Sequence, residues 1–423
     1  MGCRVARAEK PRAEGFPTHD TWHPPPTAFV RSLAGSAAMI PAMSSPPRRR
    51  YQLRRTVLNQ KIEELLDAAR REGTETEDLE LVRQIMVTGI HLLRDQTSRA
   101  ELKLVNSALK ELRHAFRVFK PYSQLRKVAV FGSARTDSDH PDWIHAHAFA
   151  ERIVREGWMV ITGAGGGIMG AAQGGAGREA SFGVNIRLTF EQEANKVIAG
   201  DRKLINFRYF FTRKVVFVKE AHAIALFPGG FGTHDEGFEA LTLIQTGKSE
   251  MVPIVFVDAP GGRYWRDWLD YVETHLVERG LIAQEDLNLF RVADSVDEAV
   301  EEIEGFYRNY HSSRYVDGRL ILRLHVAPSD EELEALNDEF SGLLESGKIE
   351  RTDVLSGEEI ETAHLPRLRL HFNRKAVGRL RSLIDQLNAF AEEPAPPRDA
   401  RRREIFATPV PEEQVEAEYE EDE

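Results

Sequence analysis

The sequence predicts an α/β fold: a Rossmann-like, doubly wound parallel sheet with an N-terminal helical segment and a small C-terminal α+β module. From Lys127 onward, short apolar runs alternate with helical runs, which is typical of a parallel sheet covered by helices on both faces. Glycine-rich turns follow several of these runs, as in "KVAVFGS", "WMVITGAGGG" and "AIALFPGG". Nearer the C-terminus, two near-copies, "LRLHV" and "LRLHF", each precede a helical stretch.

The central part of the chain supplies the elements of the sheet. Five strands are predicted, at "KVAVFGS", "WMVITGAGGG", "SFGVNIRL", "HAIALF" and "MVPIVFVD". Five helices are predicted, at "HAHAFAERIVREG", "IMGAAQGGAGREA", "RYFFTRKVVFVKEA", "THDEGFEALTLIQTG" and "YWRDWLDYVETHLVERG". Ligands of such sheets bind at the carboxyl ends of the strands, and the glycine-rich turns lie at those ends.

The segment before the sheet reads as helices. In "TVLNQKIEELLDAARREG", residues Val57, Ile62, Leu65, Leu66 and Ala69 share one face, and two further stretches repeat the pattern. These helices either cap the next domain or meet a second subunit. The first fifty residues are rich in Pro, Ala, Ser and Arg without periodicity, which predicts a disordered leader.

The two near-copies predict a small sandwich. In both, apolar residues alternate with Arg and His, so each strand has one apolar face, and "KIERTDVL" between them is a further candidate strand. A repeated strand–helix unit suggests a ferredoxin-like or ACT-like module, although its expected last strand is missing. The predicted domains are therefore a leader (1–50), a helical segment (51–125), a Rossmann-like catalytic domain (126–310), the small module (316–393) and an acidic disordered tail (394–423).

Composition limits the classes of partner. The chain has 423 residues and one cysteine, Cys3, so it forms no internal disulfide. It contains no apolar run near 18 residues and no secretory signal pattern, so we expect a cytoplasmic protein without a membrane partner. The tail "PEEQVEAEYEEDE" contains eight acidic residues and no basic one. The formal net charge of the chain is −11, so the rest of the chain has a net charge of only −3. A body near neutrality gives no reason to expect nucleic-acid binding.

The stretch "FPGGFGTHDE" carries the strongest chemical signal. Gly229, Gly230 and Gly232 free the backbone, and Thr233 stands at a helix N-terminus, where orphan N–H groups and the helix dipole favour a phosphate. The spacing of Thr233 and Glu236 also fits a capping box, which would make Glu236 structural. Arg213 and Lys214, in "FTRKVVF", lie in the part of the preceding helix that faces the same edge of the sheet.

Two other glycine motifs are weaker evidence for a nucleotide-binding site. "GAGGGIMG" formally matches a dinucleotide fingerprint at Gly165, Gly167 and Gly170, but that fingerprint belongs on the first strand–helix turn, and a strand and a helix precede it here. "QTGKS" lacks the first glycine of a P-loop and closes a helix instead of opening one.

Together, "GAGGGIMG", the Arg-Lys pair and "PGGFGTHDE" resemble the Lonely Guy family, whose members have long been labelled lysine decarboxylases. The family's mark is P-G-G-x-G-T-x-x-E preceded by an Arg-Lys pair, and "FGSAR" stands where its first turn is expected. The resemblance covers about Lys127 to Val257 and weakens beyond. It implies a Rossmann-like homodimer that cleaves the N-glycosidic bond of a nucleoside 5′-monophosphate to a free base and ribose 5-phosphate, with no cofactor and no metal.

The resemblance also assigns roles to individual residues. Arg213 and Glu236 would be catalytic. The residues that would bind substrate and phosphate are Ser133, Gly166, Gly167, Lys214, Gly229, Gly230, Gly232 and Thr233. "FFTRK" lacks the Met-His that often precedes the Arg-Lys pair in cytokinin-activating members, so AMP-like purine nucleotides and cytokinin ribotides both stay open.

Two alternative functions use the same features. A non-catalytic nucleotide-binding or sensor protein could employ the same glycine turns, because a fold does not fix a function. The alternative of an oxidoreductase is supported by "GAGGGIMG" alone. Such a protein would bind NAD without cleaving AMP.

Overall fold

The computed structural model describes residues 51–54, 56–71, 79–187, 193–355 and 362–391. The predicted leader and the acidic tail lie outside these residues. The chain divides into two compact units, Met1–Arg94 and Asp95–Glu423. Among the described helices, none is long and apolar enough to cross a membrane.

The first unit contains two helices, α1 (Thr56–Arg71) and α2 (Leu79–Arg94). They pack through a small apolar cluster that includes Leu53, Ile62, Leu66 and Val87. Arg83 of α2 is buried; it donates to the Tyr51 carbonyl and forms an ion pair with Glu80. The amphipathic pattern of the sequence predicted both helices.

The third predicted helix, α3 (Arg99–Phe119), groups with the sheet in the second unit, so the predicted helical segment (51–125) is divided near residue 95. Ser98 begins α3 with a capping box to Glu101. At the other end, the ring of Phe119 stacks on Phe182 of the sheet at 4.3 Å between centroids. The helix therefore packs directly against the sheet.

The second unit is built on a parallel sheet of seven strands. Its strands are β1 (Lys127–Phe131), β2 (Met159–Thr162), β3 (Ser181–Ile186), β4 (Leu204–Phe207), β5 (Ala223–Leu226), β6 (Ile254–Val257) and β7 (Phe290–Ala293). The helices between and after them are α4 (Pro141–Arg155), α5 (Gly167–Ala176), α6 (Phe210–Glu220), α7 (Phe231–Gln245), α8 (Tyr264–Val272), which continues as a π-helical turn (Glu273–Val277), and α9 (Val296–Phe306). This confirms the predicted fold class; β4 and β7 were not predicted.

The strand order is β4-β3-β2-β1-β5-β6-β7. The chain starts at the centre with β1, builds one half as far as β4, and then returns to the other side of β1 with β5. The direction of winding therefore reverses between β1 and β5, which is where doubly wound sheets bind ligands. Strands β1, β2, β5 and β6 are buried at every position, which explains their continuous apolar sequences.

The small module is an antiparallel sheet of order β10-β11-β9-β8 with two helices. Its elements are β8 (Tyr310–Val316), β9 (Arg319–Leu324), α10 (Asp330–Glu339), β10 (Leu344–Arg351), β11 (Arg367–Phe372) and α11 (Val377–Ala389). The order of elements is β-β-α-β-β-α, which differs from the β-α-β-β-α-β order of the ferredoxin-like fold that we expected. The two orders differ because the module begins with β8, a strand that was not predicted and that starts at Tyr310.

A buried amide joins this module to the large sheet. Asn388 of α11 donates from Nδ2 to the Phe306 carbonyl at 2.7 Å, and its Oδ1 accepts from the backbone N–H groups of Asn309 and Tyr310 at 2.9 and 2.8 Å. Asn388 is only 5% exposed. One side chain therefore satisfies three backbone groups where α9 leads into β8.

We predict that Asn388→Ala destabilises the second unit by about 3 kcal/mol or more, because it leaves buried backbone donors and an acceptor without partners. Urea unfolding of the full chain measures the change. Gln386→Ala, an exposed position on the same helix, is the matched control and should change stability by less than about 0.5 kcal/mol. Equal effects of the two substitutions would contradict a role for Asn388 at this junction.

Candidate active site

Three glycine-containing turns meet at the carboxyl edge of the sheet, where the winding reverses. They follow β1, β2 and β5, which are neighbours in the strand order. The turns are bound to one another through the backbone: Ser133 N–H donates to the Pro228 carbonyl at 3.1 Å, and Ile168 N–H donates to the Ser133 carbonyl at 2.9 Å. Ser133 is therefore the central residue of the three turns, and its hydroxyl accepts from the Arg135 N–H at 3.1 Å.

Two of the predicted glycines are explained by this close packing. Gly167 has φ +58°, and a Cβ there would lie 2.2 Å from the Ser133 carbonyl oxygen. A Cβ on Gly229 would lie 2.1 Å from Thr233 Oγ1 and 2.9 Å from Ser133 N. Both residues must be glycine so that the turns can approach each other, whether or not a ligand binds.

The other glycines of "PGGFGT" have no such explanation. A Cβ built on Gly230 or on Gly232 meets no heavy atom of the described residues within 4 Å, and neither residue has a positive φ. The packing of the chain therefore allows a side chain at both positions. Glycine there fits a backbone that a ligand approaches closely.

Gly230 is also the N-cap of α7, and no side chain caps this helix within the described structure. The first turn of α7 carries no acidic residue, so the orphan N–H groups and the helix dipole face the edge of the sheet without a negative side chain. Thr233 is the third residue of the helix and not its cap. The capping-box interpretation of Thr233 and Glu236 is therefore wrong, because both residues lie inside α7.

The start of α5 is less suited to an anion. Gly166 is its N-cap and again no side chain caps it, but the Ile168 N–H of its first turn already donates to Ser133. A Cβ on Gly166 would lie 3.4 Å from the Ala134 carbonyl oxygen, an ordinary contact distance. We conclude that α7 offers the better-prepared anion site, with α5 beside it.

Arg213 is positioned from three directions. Its Nε donates to the Val184 carbonyl, at 2.9 Å, near the end of β3. Its Nη2 lies over Gly163, where a Cβ would come within 2.6 Å, so the first glycine of "GAGGG" makes room for the guanidinium. The start of α6 is held by Glu111 of α3, which accepts from the Arg208 N–H at 2.8 Å and from the Thr212 hydroxyl at 2.5 Å.

Lys214 contacts carboxylates and not the glycine turns. Its Nζ lies 2.7 Å from Glu239, 2.9 Å from Asp235 and 3.6 Å from Glu236, all on α7. Burial works to lower the pKa of Lys214, but its hydrogen bonds to Glu239 and Asp235 outweigh burial and raise the pKa above its usual value. Lys214 is therefore a cation held among three acids.

Glu236 lies beside this cation with its side chain only 10% exposed. Burial raises the pKa of Glu236 above its ordinary value, although the charges of Lys214 and Arg213 act in the opposite direction. Burial likewise lowers the pKa of Arg213, against the charge of Glu236. The structure thus brings the two predicted catalytic residues, Arg213 and Glu236, into mutual electrostatic reach.

One supporting residue was not predicted. Asn195 donates from Nδ2 to the carbonyls of Ala164 and Gly165, at 3.1 and 2.9 Å, and to Gln173 Oε1 at 2.6 Å. Ala164 has φ +62°, a conformation that costs free energy outside glycine, and these contacts hold it in place. Asn195 lies in a loop without periodicity, so nothing in the sequence marks its contact with a turn thirty residues earlier.

No group of three or more His, Cys, Asp or Glu side chains in the described ranges is placed to hold a metal ion. The site instead combines an uncapped helix N-terminus, a buried carboxylate and two cations. Such a site can bind a phosphate and stabilise positive charge that develops close to it.

Residues 167–303 match the model of the family described as "Possible lysine decarboxylase". The match runs from α5 to α9 and includes Arg213, Lys214, the "PGGFGT" turn and Glu236. It begins after Ser133 and extends beyond Val257, where we expected the resemblance to weaken. A search of curated proteins finds no match.

Several solved structures are similar over part of the chain. A structural-genomics target titled TM1055 is 21% identical, with 43% of this chain and 99% of that chain covered, at a TM-score of 0.32. The molybdenum cofactor carrier protein from Chlamydomonas reinhardtii is 19% identical, with 43% and 96% covered, at 0.30. The molybdenum cofactor binding protein from Rippkaea orientalis is 20% identical, with 43% and 94% covered, at 0.28.

The glycines of the site lead to a paired prediction. Gly167→Ala should destabilise the protein by about 2–4 kcal/mol, because it combines a positive φ with a backbone clash. Gly232→Ala should leave stability within about 1 kcal/mol, because its Cβ meets open space. Urea unfolding of both variants measures the difference, and a large loss from Gly232→Ala would show that the fold itself requires that glycine.

Proposed function

Residues 167–303 match the family described as "Possible lysine decarboxylase", the label long carried by Lonely Guy proteins, and from this match we propose that the chain is a nucleoside 5′-monophosphate N-glycosidase. It would hydrolyse a purine monophosphate, AMP-like or a cytokinin ribotide, to the free base and ribose 5-phosphate. The family match supports the class of activity, and the site supports the roles of its residues.

One observation carries the proposal: the glycines that packing leaves unexplained and the buried carboxylate belong to the same helix. Gly230 and Gly232 stand at the start of α7, where a ligand can approach the backbone, and Glu236 follows about one turn later. A helix rises ~1.5 Å per residue, so a phosphate at the N-terminus and a sugar beside Glu236 would be about one ribose apart. This spacing suits a ribose 5-phosphate and not a phosphate alone.

The chemistry follows from this placement. Cleavage of the C1′–N bond leaves positive charge on the ribose, and the electron pair departs with the base. The Glu236 carboxylate stabilises that charge and accepts a proton from the water whose oxygen bonds to C1′. The base gains one proton overall, so the atoms of the substrate and of one water account for both products. Binding energy from the phosphate positions the ribose for the reaction.

The cations have distinct roles in this proposal. Arg213, held over Gly163 and against β3, faces Glu236 and orients the carboxylate and the substrate. Lys214, which we first expected at the phosphate, instead favours the ionised form of Glu236 through its charge. Residues 228–232 form the turn that would bind the phosphate, which we call the phosphate turn. Thr233, on α7, and Ser133, after β1, both pack against Gly229 of this turn.

Lysine decarboxylation receives no support from the lysine of the site. A lysine that forms a Schiff base must be neutral to attack, whereas hydrogen bonds to Glu239 and Asp235 raise the pKa of Lys214. Lys127 has a pKa lowered to about 8 by burial, but it starts β1, at the opposite edge of the sheet. The family name therefore does not describe the chemistry that we propose.

The expected setting forms part of the same proposal. We infer a homodimer, as the resemblance implies, and a cytoplasmic location, as we expected from the composition of the sequence. Exposed apolar side chains on α6 and α7, namely Phe210, Phe211, Val215, Phe231 and Phe238, offer apolar area for a second subunit.

The main test uses the full-length protein with AMP, other 5′-monophosphates and the matching nucleosides. Free base and ribose 5-phosphate, followed by chromatography, should appear from monophosphates at least tenfold faster than base from nucleosides, because the phosphate anchor supplies binding energy. Glu236→Gln should lower kcat by 10²-fold or more, and Glu273→Gln, on the segment after α8, is the matched control. Saturable nucleotide binding without product in the wild type would favour the sensor alternative.

The raised pKa of Glu236 predicts a pH dependence. A carboxylate that must be ionised loses activity as the pH falls through its pKa, so kcat/KM should decline about tenfold per pH unit on an acid limb that lies above the usual range of glutamate. Lys214→Met removes a charge that lowers this pKa, so the limb should move to higher pH. Lys248→Met, at an exposed position, should leave it in place. A limb that stays fixed or moves to lower pH in Lys214→Met would exclude Glu236 as its source.

A further inference from the structure

Two aromatic residues lie beside the phosphate turn without any assigned role. The hydroxyl of Tyr264, the first residue of α8, donates to the Gly229 carbonyl. Because the single hydroxyl proton is used there, the Tyr264 oxygen accepts from His234 Nε2, which lies 2.8 Å away. His234 therefore carries its proton on Nε2, and it belongs to α7, the helix that the turn opens.

This chain of hydrogen bonds fixes the orientation of one peptide group. The bond between Gly229 and Gly230 is planar and trans, so the Gly229 carbonyl and the Gly230 N–H point in opposite directions. Tyr264 follows β6, and the turns that carry Ser133 and Gly167 follow β1 and β2, on the other side of β5. A carbonyl drawn towards the β6 side therefore turns the Gly230 N–H towards the side where the three turns meet.

The turn needs such a restraint because residues 229 and 230 have no side chains that could hold their peptide group. Two adjacent glycines permit many backbone conformations, and a flipped peptide would present a carbonyl oxygen to an anion. Asp258, which is buried after β6, accepts from the Trp265 N–H at 3.2 and 3.0 Å and so fixes the start of α8. His234 packs on the ring of Trp265, at 5.4 Å between centroids, and is fixed by the same helix.

Resting on the proposed function, we propose that Tyr264 and His234 are positioning residues that hold the Gly229–Gly230 peptide so that its N–H faces the 5′-phosphate of the substrate. They touch neither the reacting bond nor the base. Their effect is on binding of the phosphate group, in the free enzyme as well as in the transition state, so it falls on KM and leaves kcat largely unchanged.

The test removes one hydroxyl. Tyr264→Phe in the full-length protein should raise KM for AMP about tenfold, with kcat within about threefold, and raise the inhibition constant of ribose 5-phosphate by the same factor. Tyr271→Phe, an exposed tyrosine on the same helix, should change neither constant. His234→Gln, whose amide can still donate to Tyr264, should stay within about threefold of the wild type, whereas His234→Leu should approach Tyr264→Phe.

Other outcomes would overturn the proposal in distinguishable ways. If KM for AMP and the inhibition constant of ribose 5-phosphate are unchanged in Tyr264→Phe, the proposed restraint is wrong, but the proposed N-glycosidase activity is not contradicted. A fall in kcat with an unchanged KM in His234→Gln would assign His234 to the reaction itself. If the wild type cleaves no monophosphate, calorimetry with ribose 5-phosphate and with inorganic phosphate still decides: weaker binding in Tyr264→Phe supports the restraint, and equal binding or no binding to the wild type overturns it.

Discussion

The site depends on the backbone contact between the turns that follow β1, β2 and β5. Ser133 donates to one neighbouring turn and accepts from the other, so three loops from distant parts of the sequence form one rigid edge. This contact requires glycine at residues 167 and 229, because any Cβ there would occupy the space of the adjacent backbone. Helix α7, whose N-cap is Gly230, then projects its N–H groups from a fixed position. Everything that we attribute to Arg213, Lys214 and Glu236 presupposes that fixed edge.

The electrostatics of the site show a balance of burial against charge. Glu236 is buried enough for its ionised form to be disfavoured, yet Lys214 and Arg213 lie close enough to offset part of that cost. Lys214 is in turn held by Asp235 and Glu239, which keep it protonated. The charges of Lys214 and Arg213 both act on Glu236, so a substitution at either cation changes the pKa of Glu236. A carboxylate whose pKa is raised by burial suits a group that must exchange a proton with water.

The sequence predicted the large sheet well, and it predicted contacts between distant elements poorly. Buried parallel strands are recognisable as apolar runs, but β4 is a four-residue edge strand, and "LINF" is too short to show a period. In the small module, "YHSSRYV" lacks clear alternation; the better signal was Asp317-Gly318, a hairpin turn in which both residues have positive φ. The motif placed Lys214 at the phosphate because the neighbouring Asp235 and Glu239, on another helix, become its partners only after folding.

The amide of Asn388 has a further consequence, for the motions available to the protein. The segment that joins the two sheets is fixed by a side chain from the last described helix, so the module lacks the unrestrained connection that a hinge requires. Asn309 reinforces the junction, since its Oδ1 accepts from the N–H groups of His325 and Val326. Any signal that the module receives would thus reach the large sheet as a change in local stability or packing at residues 306–310, and not as a swing of one body against another.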